Sequence, residues 1–325
     1  MLENESGITL KRTHKKVELL LPSIIAIIVL MLAGNFIARG FISMNNISSI
    51  LMTSSLLALM SISQNTVIIA GNNGIDLSIG ATASCTALIC PLLPMDTPLQ
   101  FIVAISAALV IGAIFGSVNG FFVSIVKIPA LIMTIIMGSV ISGTIMVLTR
   151  GQPSANISML LKSISGSIVP PIRKLTFVVI IIVVITEIIL TRTKAGRMLK
   201  LVGDNQNAAR ITGINVKGVL FLSYVISGSI AGFMGLLIVG YAGSTTLNMA
   251  VSYTLLSMAA ITIGGTSLSG GQGSYVSGAL GSIVLIELNS ILQALNMGQG
   301  MRLVIQGGLL LVIMMFNIRA PKLRT

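Results

Sequence analysis

The chain has 325 residues, 54% hydrophobic and 9% charged, and a net charge of +12 from 20 Lys+Arg against 8 Asp+Glu. A soluble globular chain carries about 25% charged residues, so the composition excludes a soluble enzyme, a disordered chain and a disulfide scaffold. Continuous rather than alternating hydropathy also argues against an outer-membrane barrel.

What remains is an all-α, polytopic membrane helix bundle of about ten transmembrane helices. Residues 1–18 form a basic tail with Lys11, Arg12, His14, Lys15 and Lys16. The first apolar run, 19–38, is too long for a signal-peptide core and no small-x-small cleavage site follows it, so it reads as a retained helix. Further runs long enough to span a bilayer lie at 47–70, 77–94, 99–122, 128–148, 173–191, 217–240, 250–266, 274–295 and 301–317. The eighth is short and rich in Ser, Thr and Gly. Residues 19–317 thus form one transmembrane domain, closed by a short tail at 318–325.

Charge sets the orientation. With the N-terminus inside and ten alternating spans, the inside collects Lys11, Arg12, Lys15, Lys16, Lys127, the six cations of loop 192–217, Arg319, Lys322 and Arg324. The outside collects Arg39, Arg150, Lys162, Arg173, Lys174 and Arg302. Fourteen against six supports an N-in, C-in topology. Segment 149–172, with Pro153, Pro170 and Pro171, then reads as an external loop, and 192–217 as a polar internal one.

Small residues recur at helical spacing, at Gly112, Gly116 and Gly120 and again at Gly228 and Gly232. They signal close helix packing. Cys85 and Cys90 read as small buried hydrophobes, without a His/Cys cluster for zinc.

Ionisable groups at membrane depth are costly and are functional candidates by default. Asp76 lies in Ala70-Gly71-Asn72-Asn73-Gly74-Ile75-Asp76-Leu77-Ser78-Ile79-Gly80. This stretch is either a tight turn, with Ser78 or Asp76 capping the next helix, or a broken helix lining a cavity. Glu287 lies inside the ninth span. Glu187, near the end of the sixth, is expected to snorkel or pair with Arg192. A second interruption, Gly264-Gly265-Thr266-Ser267-Leu268-Ser269-Gly270-Gly271-Gln272-Gly273, joins two spans in the same way. The amides of Gln64, Asn65, Asn119, Asn248, Asn289 and Gln293 serve either interhelical bonding or a path for a neutral polyhydroxylated solute. No Gly-Lys pair occurs, which excludes a P-loop. Acid and His relays, a metalloprotease motif and a G-x-S-x-G elbow are missing too. The chain therefore carries no catalytic residues, metal site or cofactor of its own.

In the internal loop, Asp204-Asn205-Gln206-Asn207 is expected to cap a short helix through Ala208-Ala209-Arg210-Ile211 that ends at Gly213. It is either a docking helix for a cytoplasmic partner or a solvated basic loop.

Gly74-Ile75-Asp76-Leu77-Ser78-Ile79-Gly80, the stretch Gly203 to Asn215 and Gly264 to Gly271, in that order and spacing, resemble the permeases of ribose/simple-sugar-type ATP-binding-cassette (ABC) importers. That superfamily also holds branched-chain amino acid permeases. The resemblance runs from about residue 40 to the end. It implies a permease subunit working with cytoplasmic ATPase subunits that hold ATP and Mg, a substrate-binding protein and a second permease, identical or similar. It further implies ATPase coupling through Gly203, Asp204, Asn207, Ala208, Ala209, Arg210 and Gly213. The expected path residues are Asn65, Asn72, Asn73, Asp76, Ser78, Asn119, Asn248, Glu287 and Asn289. Asn207 stands where the family commonly has Glu, and Glu287 stands in a helix usually apolar there. The alternatives are an amino acid or other small-solute ABC permease, or a self-sufficient secondary transporter.

Overall fold

This computed structural model describes residues 2–71, 74–150, 152 and 157–317. In chain order its elements are α1 (Leu2–Ile37), α2 (Met44–Ile69), α3 (Ile79–Ile89), α4 (Pro98–Phe121), α5 (Ala130–Thr149), α6 (Met159–Ser163), β1 (Ser167–Val169), β2 (Ile172–Arg173), α7 (Lys174–Arg192), α8 (Lys194–Asp204), α9 (Gln206–Ile211), α10 (Val216–Ala242), α11 (Val251–Ile263), α12 (Tyr275–Ala294) and α13 (Gln299–Asn317). The all-α expectation holds. The only strands among the described residues are one small antiparallel hairpin in the expected external loop, pairing Ser167 with Arg173 and Val169 with Ile172.

Seven helices among the described residues are long and apolar enough to cross a membrane: α1 from Leu20, α2, α4, α5, α7, α10 and α12. The other three expected spans correspond to α3, α11 and α13. Two of these depart from a full crossing. Eleven residues in α3 cover about 17 Å, against a hydrocarbon core of roughly 30 Å. A 3-10 turn, Cys90–Leu92, extends it, and α11 has 13 residues. Protein surrounds α3, whose residues 79–88 are all buried, so it does not need the apolar length that lipid contact demands; α11 is buried over its second half, with Val251 and Leu255 exposed. The two short helices also bond each other, Gly80 N donating to Thr254 Oγ1 (3.1 Å) and Ala250 N to Ser84 Oγ (3.1 Å). The basic tail expected at 1–18 is helical from Leu2 as the start of α1. Pro153 and the tail at 318–325 lie outside the described residues.

Polarity is graded from rim to centre. The spans of α2, α10 and α12 are 67%, 67% and 56% buried, with mean hydropathies of 1.4, 1.9 and 1.5. Those of α1, α4, α5 and α7 are 11–28% buried, at 2.2–2.5. Lipid solvates apolar side chains and cannot pair polar ones, so the polar residues gather where other helices pair them. Ser63 Oγ donates to the Ser227 carbonyl (2.8 Å), Ser61 and Ser282 share a bond (2.9 Å), and Thr66 Oγ1 meets the Tyr275 hydroxyl (2.9 Å). These bonds pin α2 between α10 and α12.

The most extensive helix pair is α4 with α10. A Cβ on Gly112 would overlap the Gly228 carbonyl oxygen, and one on Gly228 would overlap that of Gly112. Gly116 stands in the same relation to Tyr224, and Gly232 to Ala108. Both glycine series therefore sit on facing surfaces, with backbone against backbone.

Gly228→Leu should force α4 and α10 apart. Overpacking costs typically about 1–3 kcal/mol, so the variant should melt at a lower temperature in mild detergent than wild type. Gly143→Leu on α5, where a Cβ meets nothing within 4 Å, should melt as wild type does. Equal melting of both variants would contradict this packing.

Candidate functional site

The two glycine-rich interruptions and the loop between α7 and α10 meet at one face of the bundle. Gly271 N donates to the Ile69 carbonyl at the end of α2 (3.0 Å). A Cβ on Gly71 would lie 2.7 Å from Gly203 Cα, one on Gly270 2.6 Å from Gly71 Cα, and one on Gly271 2.9 Å from Asp204 Cα. Real side chains do not approach backbone so closely. Gly71, Gly270 and Gly271 also have φ of +81°, +94° and +71°, a region in which residues with a Cβ pay a penalty. Three segments far apart in sequence thus form a joint that only glycine permits.

Beyond the joint, the chain turns sharply into α3. Gly74 N donates back to the Gly71 carbonyl (3.0 Å). In the described part of this stretch that follows the joint, residues 74–80, Asp76 is the organising side chain. Its Oδ1 accepts from Ser78 N (2.9 Å) and Ser78 Oγ (2.6 Å). Ser78 occupies the N-cap position of α3 but makes no capping bond there, because its hydroxyl turns to Asp76 and accepts from Asn119 Nδ2 on α4 (2.8 Å). The Gln64 amide, oriented to satisfy both groups, donates to the Asp76 carbonyl (2.9 Å) and accepts from Asp76 N (3.3 Å). Thr134 Oγ1 on α5 donates to the Ile75 carbonyl (3.2 Å). The turn is therefore fastened to α2, α4 and α5. Asn65 Nδ2 donates to the Ser274 carbonyl (2.9 Å), and Glu187 accepts from Ser274 Oγ (3.0 Å) and Tyr275 N (2.8 Å). An acidic group at a helix N-terminus is electrostatically favourable. Glu187, expected to snorkel or pair with Arg192, thus ties α7 to the start of α12.

The loop 192–217 is two helices. Thr193 caps α8, its Oγ1 accepting from Gly196 N. Asn205 caps α9, its Oδ1 accepting from Asn207 N (2.9 Å) and Ala208 N (3.0 Å). The far end closes with paired bonds, Ile214 N to the Ala209 carbonyl and Gly213 N to the Arg210 carbonyl, around Gly213 at φ +81°. This is a Schellman stop, so the expected cap and end both hold. Ala209 is buried against Ala70, Val202, Val216 and Leu220. Asn207, Ala208, Arg210 and Ile211 are exposed, Ile211 to 88%. Gly203 and Asp204 lie where α8 meets the joint.

The expected path residues fall into separate groups. Asp76, Ser78 and Asn119 meet at the turn, while Asn65 bonds to Ser274 at the start of α12; each is at most 1% exposed. Asn72 and Asn73 lie outside the described residues. Asn248 is exposed before α11, at φ +59°. Glu287 is fully buried in α12, and neither carboxylate oxygen has a hydrogen-bond partner among the described residues. Asn289 lines a cleft of about 620 Å³ at the opposite end of the bundle, formed with Arg39, Asn46, Thr53, Tyr241 and Gln293 among others. Its Oδ1 accepts from Arg302 Nη1 (3.4 Å), and Thr53 and Tyr241 share a bond (3.3 Å).

Sequence reasoning passed over Ser227, Ser274, Tyr241 and Ile211. Serines in an apolar run carry no pattern, but Ile211 was legible as an apolar residue at the edge of a polar loop.

Residues 46–314 match the family described as branched-chain amino acid transport system, permease component, and the chain belongs to that family. It is 34% identical over 251 residues to the probable ABC transporter permease protein y4mJ of Sinorhizobium fredii, covering 76% of this chain and 73% of that one. It is 30% identical over 299 residues to the ribose import permease protein RbsC of Escherichia coli K12 (91% and 92% covered). It is 26% identical over 300 residues to the autoinducer 2 import system permease protein LsrC of Escherichia coli SMS-3-5 (92% and 86% covered). No solved structure matches. The chain is accordingly a multi-pass ABC permease of the bacterial inner membrane.

Asp76→Ala should leave Ser78 N buried without its acceptor, a loss of about 1–3 kcal/mol visible as a lower melting temperature in mild detergent. Asp76→Asn keeps an oxygen at the same place and should melt near wild type. If both variants melt alike, the carboxyl does not organise the turn.

Proposed function

We propose that this chain is the permease subunit of an ATP-driven importer that carries a neutral, sugar-like solute into the cytoplasm by alternating access. The observation that carries this reading is α9: a capped helix with an exposed outer face whose base is continuous with the glycine joint. A push on α9 reaches the Asp76 turn and the start of α12 through backbone contacts, without passing through flexible side chains. Cytoplasmic ATPase subunits, holding ATP and Mg, supply that push. Contact falls on Asn207, Ala208, Arg210 and Ile211, while Gly203, Asp204, Ala209 and Gly213 shape and hold the helix.

The solute arrives from a substrate-binding protein at the opposite cleft. Hydroxyls, amides and one Arg line that cleft, and no carboxylate does. Such a lining suits a polyhydroxylated neutral solute better than an amino acid, whose ammonium group calls for an acid. The names of the ribose and autoinducer 2 permeases agree with this class. Asn289, Glu287, Asn248 and the polar group of Asn65, Asn72, Asn73, Asp76, Ser78 and Asn119 line successive stretches of the path as it opens. A second permease, identical or similar, completes it. The ATP-bound and ATP-free states differ in which side the path faces, and that difference makes transport uphill.

Ala208→Glu/Ile211→Glu changes only exposed positions and leaves the buried Ala209 in place. In proteoliposomes holding the permease, its ATPase and its binding protein, ribose as probe should enter only with ATP. The variant should reduce that uptake about tenfold or more, within the usual range of coupling energies. Unchanged uptake would remove α9 from the coupling path. Uptake by the permease alone on an ion gradient would overturn the importer reading in favour of a secondary transporter.

A further inference from the structure

A cleft of about 960 Å³ opens beside α9, between the α4–α5 corner and the start of α10. Three cations from three elements edge it: Lys127 at the corner, Arg210 on α9 and Lys217 on α10. All three are exposed, and no carboxylate is among the residues that line the cleft. By the charge asymmetry this face is cytoplasmic.

The corner itself is unusual. At its end α4 widens into a π turn, Phe122–Val126, which stops at Lys127 with φ +68°. Such turns occur disproportionately at functional sites. Ser124 lies in that turn, only 4% exposed, and lines the cleft. Its hydroxyl has no hydrogen-bond partner among the described residues. Buried hydroxyls are nearly always paired, so this one points to a ligand with an acceptor oxygen. Past Lys127 the same corner lines the cleft with apolar residues, Ile128 to Leu131. From there the apolar surface continues along α5 through Ile132, Ile135 and Ile136, each 49–52% exposed.

We propose that this cleft binds the phosphate of an acidic phospholipid from the leaflet it faces, with the acyl chains along α5. The cations and the Ser124 hydroxyl suit a phosphate. The apolar row favours a lipid over a free anion or an acidic peptide, neither of which needs a hydrocarbon wall. Acidic lipids also concentrate beside cations on the cytoplasmic side. A lipid held there bridges α9 to the α4–α5 corner. The binding claim stands independently of what α9 docks against.

The test is native mass spectrometry of the full-length chain, extracted from bacterial membranes in mild detergent, reading the phospholipids that stay bound. Wild type should retain phosphatidylglycerol over phosphatidylethanolamine. Lys127→Ala/Lys217→Ala should lower that retention about fivefold or more, as the loss of surface cations implies. Lys194→Ala/Arg197→Ala removes equal charge from the same loop face outside the cleft and should leave retention unchanged. If the double cleft variant unfolds, Lys127→Gln and Lys217→Gln carry the same expectation singly. Equal loss in the control variant, or no preference for the acidic lipid, would overturn the proposal. So would displacement of the lipid by millimolar inorganic phosphate, which would reassign the site to a free anion. Unchanged lipid together with loss of a co-purifying protein would reassign the cleft to a protein partner.

Discussion

The architecture depends on one constraint: at Gly71, Gly203, Gly270 and Gly271, three chain segments touch through bare backbone. A joint of this kind leaves no side chain to deform, so displacement of one segment displaces the others. It sets where α2 ends, where α8 stops and how the chain turns into α12. The Asp76 turn and the exposed helix α9 lie on either side of it, and their relative positions follow from it. In the proposed function the joint acts as a rigid lever, carrying contact on α9 to the base of the central helices.

Around that joint the bundle inverts the polarity of a water-soluble protein. The most apolar helices face outward, and the Ser, Thr, Asn and Gln side chains of α2 and its neighbours are satisfied within. This arrangement explains how α3, far too short to cross alone, is accommodated: it is sheathed by other helices and bonded to the start of the equally short α11. It also isolates Glu287. A fully buried carboxyl without a hydrogen-bond partner is costly at membrane depth, and its position in α12 lies between the outer cleft and the polar centre.

Much of this was legible from residue order. Seven of the ten apolar runs, the two glycine series, the Asn205 cap and the Gly213 stop follow from local rules of hydropathy, spacing and backbone preference, and appear where those rules put them. Three things were not legible. The glycine interruptions read as a turn or a broken helix, each on its own, because nothing local says that Gly71, Gly203 and Gly270 share one point in space. The run at 77–94 read as a full span, because hydropathy does not tell lipid-facing length from protein-facing length. Glu187 read as a partner for nearby Arg192, because the Ser274 hydroxyl and Tyr275 amide that it binds are 87 and 88 positions away. For the candidate site, residue types were visible while their grouping was not: Asp76, Ser78 and Asn119 converge, but Asn289 opens at the other end.

Family membership and the ribose and autoinducer 2 import relatives place the chain among ABC permeases, and the proposed function makes the joint the route by which such a subunit is driven. The most direct test of that route is a distance measurement by pulsed electron spin resonance. Spin labels at Thr212 at the end of α9 and at Gln272 beside the joint, both exposed, would be read in the reconstituted transporter with and without ATP. If the joint is rigid, the distance between them stays the same in both states while uptake proceeds. A distance that changes with ATP beyond the spread of the labels would show that α9 moves independently of the joint, and the account would fail.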